Sequence, residues 1–256
     1  MTKRINRLVL QAIAATLIAA FFNSCSDKND DNDWATFETN NIIDQYYVPK
    51  KAFTKQMSDT SFYVSWYQKI YTLNDSSTEE RYDSDDEMSD KYCYNSDKSK
   101  LNKYLQYASY YGDTVSKRLH NMGNLNKVSA VPLLSINVTT KQQFDSEHPA
   151  NSNINGLLLY WQYYDLYNYL HGSDKDGQPL YKSIPIHKIY GEFVDIEVDD
   201  INQKPFYMVA DHFYLTFKKR PETSGKYTFL VELTFADDPI TGEKIEVDPI
   251  TVEMSF

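Results

Sequence analysis

The sequence predicts a mainly β protein, an antiparallel β-sandwich of immunoglobulin-like type with a helical insertion around residues 99–122. Three observations carry that expectation. Lys226 to Phe235 alternates, setting Tyr227, Phe229, Val231, Leu233 and Phe235 on one face, as a half-buried strand requires. The polar run Asp237-Asp238-Pro239-Ile240-Thr241-Gly242 then turns the chain into Glu243 to Phe256, a hairpin with a longer loop. Finally, 22 Tyr, 13 Phe and 3 Trp suit pleated surfaces on which a ring packs inward and a hydroxyl reaches water. The Cys and Trp pattern of true immunoglobulin domains is absent, so the likeness rests on strand spacing.

Taken in order, Phe37 to Leu73 alternates short aromatic and β-branched segments with polar breaks; Ser61 to Tyr67 and Lys69-Ile70-Tyr71 read as strands. Asn74 to Asp90 holds almost nothing apolar and reads as a long exposed loop. Leu101, Tyr104, Leu105, Ala108 and Tyr111 recur at three- and four-residue steps, which predicts a helical face ending near Gly112. Val115, Leu119 and Met122 extend or restart that helix, with Asp113 as its cap. Ser129 to Thr140 reads as a strand interrupted near Pro132, and Gly156 to Leu170 as a strand crowded with aromatic rings. Ser183 to Val198, Phe206 to Phe217 and Ile245 to Phe256 supply further strand material.

The N-terminus has a different character. Basic Lys3, Arg4 and Arg7 precede an apolar stretch from Leu8 to Phe22, followed by Ser24-Cys25 and the acidic run Ser26 to Asp33. As a helix the apolar stretch rises roughly 22 Å against a hydrocarbon core of about 30 Å, too short to span. A basic start, a short apolar centre and small residues before a break are the order of a cleaved secretory signal. Phe22-Asn23-Ser24-Cys25 resembles a lipobox, with Phe22 where Leu is usual, and the acidic run resembles the export signal of Bacteroidetes lipoproteins. The expected organisation is a signal peptide over 1–24, a lipidated acidic tether over 25–36, and one domain over 37–256.

Beyond the leader, which holds three of the 26 basic residues, 23 basic side chains face 36 acidic ones, a net charge of −13. That excludes nucleic acid as a partner, because phosphate binding needs a basic footprint. With Cys25 lipidated, Cys93 stands alone, so neither an internal disulfide nor a cysteine zinc cluster can form.

The stretch Thr139 to Asn155, with its Phe144-Asp145-x-x-His148-Pro149-Ala150 loop, and the closing Lys226 to Phe256 hairpin resemble an uncharacterised family of Bacteroidetes lipoproteins. The resemblance runs from Val128 onward. Where such relatives often have Gly, this chain has Asn151. The family implies a sandwich-like lipoprotein and no catalytic residue.

Candidate chemistry is sparse. His148 lies within four residues of Asp145 and Glu147, an arrangement that more often orders a turn than performs acid-base work. His120, His171, His187 and His212 lack metal-ligand spacing, so no metal site or cofactor is expected. Gly172 to Gly177 resembles part of a calcium loop through Asp174 and Asp176, but lacks the first Asp, and Ser183 stands where the closing Glu belongs. Cys93 between Tyr92 and Tyr94 reads as a strand cysteine. Asp113-Thr114-Val115 resembles the O-glycosylation site of exported Bacteroidetes proteins. Tyr160, Trp161, Tyr163, Tyr164 and Tyr167 form the sharpest binding candidate, since rings exposed along one strand make a platform for sugar rings; the same pattern describes an ordinary core. The expectation is a non-catalytic binding or scaffolding module, lipid-anchored in the outer membrane and exposed at the cell surface, its partner an envelope protein. The alternative is a surface glycan-binding lipoprotein using that aromatic platform.

Overall fold

The computed structural model describes residues 36–39, 41–66, 69–72, 80–83, 89–93, 98–114, 118–121, 127–162, 165–183 and 196–256. The leader and the acidic tether, apart from Thr36, lie outside them, as do Tyr163, Tyr164 and residues 184–195. Among the described residues the chain is mainly β, with three sheets, two further strand pairs and few helices.

The first sheet joins β10 (Leu133–Thr140), β14 (Lys226–Phe235) and β15 (Ile250–Ser255), all antiparallel. The alternation of β14 appears as expected, with Tyr227, Phe229, Val231, Leu233 and Phe235 buried. β15 is shorter than the segment from Ile245 suggests, because residues 236–249 form a long connection turned at Asp238. The second sheet runs β12 (Ile196–Glu197), β11 (Leu158–Trp161), β13 (His212–Phe217), β4 (Ser61–Ser65) and β3 (Phe53–Gln56), again antiparallel. One apolar cluster draws on both sheets: Phe62, Val64, Leu158, Tyr160, Phe213 and Phe217 meet Ile136, Val138, Phe229, Val231, Val252 and Met254.

Both rims of the first sheet are engaged by side-chain amides. On β10, Asn202 accepts from Ile136 N at 2.7 Å and donates to Ile136 O at 2.8 Å, while Asn155 accepts from Val138 N at 2.9 Å. On β15, Gln56 accepts from Ser255 N at 3.1 Å and donates to Ser255 O at 3.2 Å, and the Thr54 hydroxyl donates to Thr251 O.

The third sheet joins β7 (Ser89–Cys93), β2 (Gln45–Pro49) and β9 (Lys127–Ser129). Here β2 pairs with β9 in parallel, a departure from the all-antiparallel expectation. Every residue of β2 is buried because the strand serves two cores. Tyr47 joins the cluster between the first two sheets, while Tyr46 and Val48 face a second cluster under α1 (Lys98–Tyr110). Two strand pairs complete the β structure: β1 (Thr36–Thr39) with β8 (Arg118–Asn121), and β5 (Lys69–Thr72) with β6 (Glu80–Asp83).

Several expectations are corrected here. The helical insertion stops at Tyr110: Gly112, at φ +66°, closes it through Asp113 N to Ala108 O and Gly112 N to Ser109 O, the paired bonds of a Schellman motif. Leu119, expected on a second helix, lies in β8, and Val115 and Met122 fall outside the described residues. Leu105 is 44% exposed; Tyr107 takes its place on the buried face because its hydroxyl reaches Asp238. The polar stretch 74–90 is not one loop, since β6 and the start of β7 lie in it, formed by backbone pairing that composition does not announce. Thr36, assigned to the tether, belongs to β1.

Candidate functional site

The aromatic stretch does not run on as one strand. β11 ends at Trp161, and α2 (Leu166–His171) begins after Asp165, whose carboxylate caps it by accepting from Asn168 N at 2.9 Å. Tyr160 is fully buried, its hydroxyl donating to Gln162 Oε1 at 2.7 Å, and Phe213 and Phe206 pack around its ring. Trp161 is 8% exposed and stacks on Tyr214 with ring centres 3.9 Å apart, in a small cluster with Tyr63 on the opposite face of the second sheet. Tyr163 and Tyr164 lie outside the described residues. Tyr167, on α2, is 36% exposed. The described members therefore point into two clusters and toward solvent, and the one-sided platform expected of a continuous strand is not what they build.

Tyr167 instead joins residues from two other segments. Its ring stacks on Tyr207 at 4.9 Å and 21°, and lies 4.5 Å from the His171 ring. Gly112, at the end of α1, sits close to His171: a Cβ there would lie 3.6 Å from the imidazole Cε1. Beside it Tyr110, 53% exposed, packs at right angles to buried Tyr111, with centres 4.9 Å apart. The Tyr111 hydroxyl donates to Ala130 O at 2.8 Å, and its pKa is pushed up by burial and then by Tyr110, Tyr207, Asp238 and Tyr167 around it. Sequence reasoning missed this grouping because its rings come from positions 110, 167, 171 and 207; the only signal was the high Tyr count.

The other candidates are structural. In the Phe144 loop, Asp145 Oδ1 accepts from Glu147 N, His148 N and His148 Nδ1 at 2.7 to 2.9 Å, and Oδ2 pairs with Lys219 at 2.8 Å. The Lys219 ammonium, with His148 and the two backbone N–H groups, holds the Asp145 carboxyl well below the usual carboxylate range. Phe144 stacks on Phe217 and seats the loop in the core, and Asn151 stands at φ +64°, a left-handed position that favours Gly or Asn.

The Asp113 side chain caps no helix among the described residues. Its carboxylate accepts from Ile42 N at 2.6 Å and Ile43 N at 2.9 Å, far away in sequence, and burial raises its pKa from 3.8 to about 6 against those hydrogen bonds. Thr114 beside it is exposed. Asp174 Oδ1 accepts from Asp176 N and Gln178 N, both at 2.9 Å, which is a self-closing surface turn.

One constellation went unread. Ser65 stands opposite His212 across the β4–β13 ladder, and His212 Nδ1 lies 2.7 Å from Asp211 Oδ1, with all three buried. The Ser65 hydroxyl donates to the main-chain carbonyl of Asp211 at 3.1 Å, which ties the end of β4 to the start of β13. Among the described residues no three His, Cys, Asp or Glu side chains gather to hold a metal ion, and no helix is long and apolar enough to cross a membrane.

The chain matches no protein-family model, no curated protein and no solved structure.

Proposed function

We propose that this chain is an exported lipoprotein, anchored through Cys25 in the bacterial outer membrane and exposed at the surface, whose folded part is a non-catalytic binding or scaffolding module of the envelope. The observation that carries this reading is order along the chain. A basic start, a short apolar centre, Ser24-Cys25 and an acidic run stand immediately before β1, the first described strand. The acidic run repels itself and extends, as a tether between an anchor and a domain should.

We read the first and second sheets as the two layers of an antiparallel, immunoglobulin-like sandwich; their shared cluster of buried side chains supports that architecture. The resemblance to Bacteroidetes lipoproteins points the same way. Asp145 and His148 brace a turn, Asp113 holds the amides of Ile42 and Ile43 in the segment before β2, and Ser65 serves a carbonyl, all of which favours a binding or scaffolding role over a catalytic one. The alternative, a surface glycan-binding lipoprotein, is favoured by the exposed rings of Tyr110 and Tyr167.

The test is labelled-palmitate incorporation and membrane fractionation of the full chain in a Gram-negative host, beside Cys25→Ser. The expected outcome is label and membrane association for the wild type and loss of both in the variant. Wild-type protein that is unlabelled and released in soluble form would refute the anchor.

A further inference from the structure

The three exposed large apolar side chains among the described residues are Leu105, Tyr110 and Tyr167, and the two tyrosines both border buried Tyr111, which packs against Tyr110 and interacts electrostatically with Tyr167. Single exposed apolar groups need no explanation, but grouped and braced rings do. We propose that Tyr110 and Tyr167, backed by Tyr111, Tyr207 and His171, form a stacking site for the ring of an uncharged sugar. The proposal rests on the reading of this chain as a binding module and names that module's ligand class.

Preorganisation is the first argument. Tyr167 leans on Tyr207, with centres 4.9 Å apart, and lies 4.5 Å from the tilted His171 ring while staying 36% exposed, and Tyr110 leans on Tyr111, whose hydroxyl is fixed to Ala130 O. Rings already immobilised lose little rotamer freedom when a ligand arrives. Chemistry is the second. Each exposed ring ends in a hydroxyl, and the neighbouring imidazole adds nitrogen groups, so the site offers apolar ring surface edged with hydrogen-bonding atoms. A pyranose has the same division, with C–H faces and a rim of hydroxyls. A purely aliphatic partner would leave the tyrosine hydroxyls and the imidazole without partners.

Charge removes the other flat ligands. Single-stranded nucleic acid also stacks on aromatic rings, but it needs a basic groove, and this chain carries 23 basic against 36 acidic residues after its leader. A quaternary ammonium, which an acidic protein would attract, needs ring faces arranged around a central space. Tyr167 and Tyr207, nearly parallel and 4.9 Å apart, leave no such space between them.

The experiment uses the full-length protein in a detergent without a sugar headgroup, applied to an array of neutral oligosaccharides built from glucose, mannose, galactose, xylose and N-acetylglucosamine. Hits are titrated by calorimetry with wild type, Tyr110→Ala, Tyr167→Ala, Tyr167→Trp and Leu105→Ala, all checked for native circular dichroism and melting. Binding that weakens about tenfold or more in each alanine variant, and persists in Tyr167→Trp and Leu105→Ala, supports the site. No neutral sugar bound by the folded wild type overturns it, and so does sugar binding that survives loss of both rings. Binding of choline, lost with the same rings, would overturn the sugar in favour of a cation. Palmitate labelling is read separately, so failure here leaves the lipoprotein reading standing or falling by its own result.

Discussion

The two main cores of this chain both bury aromatic rings, by different means. Between the first and second sheets the rings are largely phenylalanines: Phe144, Phe217, Phe229 and Phe256 nest with centres 5.1 to 6.4 Å apart. Under α1 they are tyrosines, and four of their hydroxyls have an assigned place. Tyr104 donates to Ile43 O at 2.6 Å, Tyr107 to Asp238 Oδ2 at 2.7 Å, Tyr111 to Ala130 O at 2.8 Å, and Tyr46 reaches Asp113 Oδ2 at 3.4 Å. The first core is held mainly by area and shape, with the hydroxyls of Tyr160 and Tyr227 bonded at its margin. The second adds directional bonds that tie α1 and the turn after it to the segment before β2, to the residue after β9 and to the long β14–β15 connection, so the helix is fixed in orientation as well as buried.

That difference can be broken most forcefully in the phenylalanine core. Phe229→Ala should cost about 3 to 5 kcal/mol by urea denaturation, since it combines lost transfer energy with a cavity among packed rings. A cost below about 1 kcal/mol would show that these sheets do not share a packed core. Asp113→Ala should cost about 3 kcal/mol, because it strands the amides of Ile42 and Ile43 in a buried place.

The same residue gives a pH signature. With a folded pKa of about 6 against 3.8 unfolded, its stabilising proton is fully held below pH 3.8 and lost as pH rises through 6. Wild-type stability should therefore fall by up to about 3 kcal/mol relative to Asp113→Asn between pH 4 and 6.5. Asp145, whose pKa is depressed, acts in the opposite sense and below that window: its contribution disappears only as pH falls below 3.8.

Tyr107→Phe should cost about 2 kcal/mol, the loss of a hydrogen bond to a carboxylate. Burial raises the pKa of Asp238, but Tyr107 and the N–H groups of Ile240 and Thr241 together bring it below the ordinary value. The variant should move it upward in an NMR titration; an unchanged Asp238 would mean that Tyr107 acts through packing alone. Asn151→Ala is the smallest effect, about 1 kcal/mol by melting from the left-handed backbone, whereas Asn151→Gly should be neutral to within a few tenths.

The alternation of β14, the hairpin into β15 and the helix end at Gly112 were legible because each is written in adjacent residues. β6 was not, because a polar strand differs from a loop only in what it pairs with. The aromatic stretch misled for a related reason: Tyr suits strand, helix and core alike, and the decisive signal was Asp165, a cap three residues before Asn168. Asp113 looked like a cap and is one in chemical kind, but the amides it serves lie about seventy positions earlier. The site of Tyr110, Tyr167, His171 and Tyr207 depends on three segments meeting, which no local pattern records.

A protein held on a membrane by a lipid meets its own copies at a concentration far above that in solution. Under such crowding an open strand is a seam along which neighbours can stitch into fibres. In the first sheet Asn155, Asn202 and Gln56 already fill those seams with amides borrowed from their side chains. Replacing Asn202 and Gln56 by leucine would leave the sheet folded with two sticky borders. The consequence is that the main-chain groups of Ile136, Val138 and Ser255 at the two borders are already spoken for and offer no strand a template to pair with.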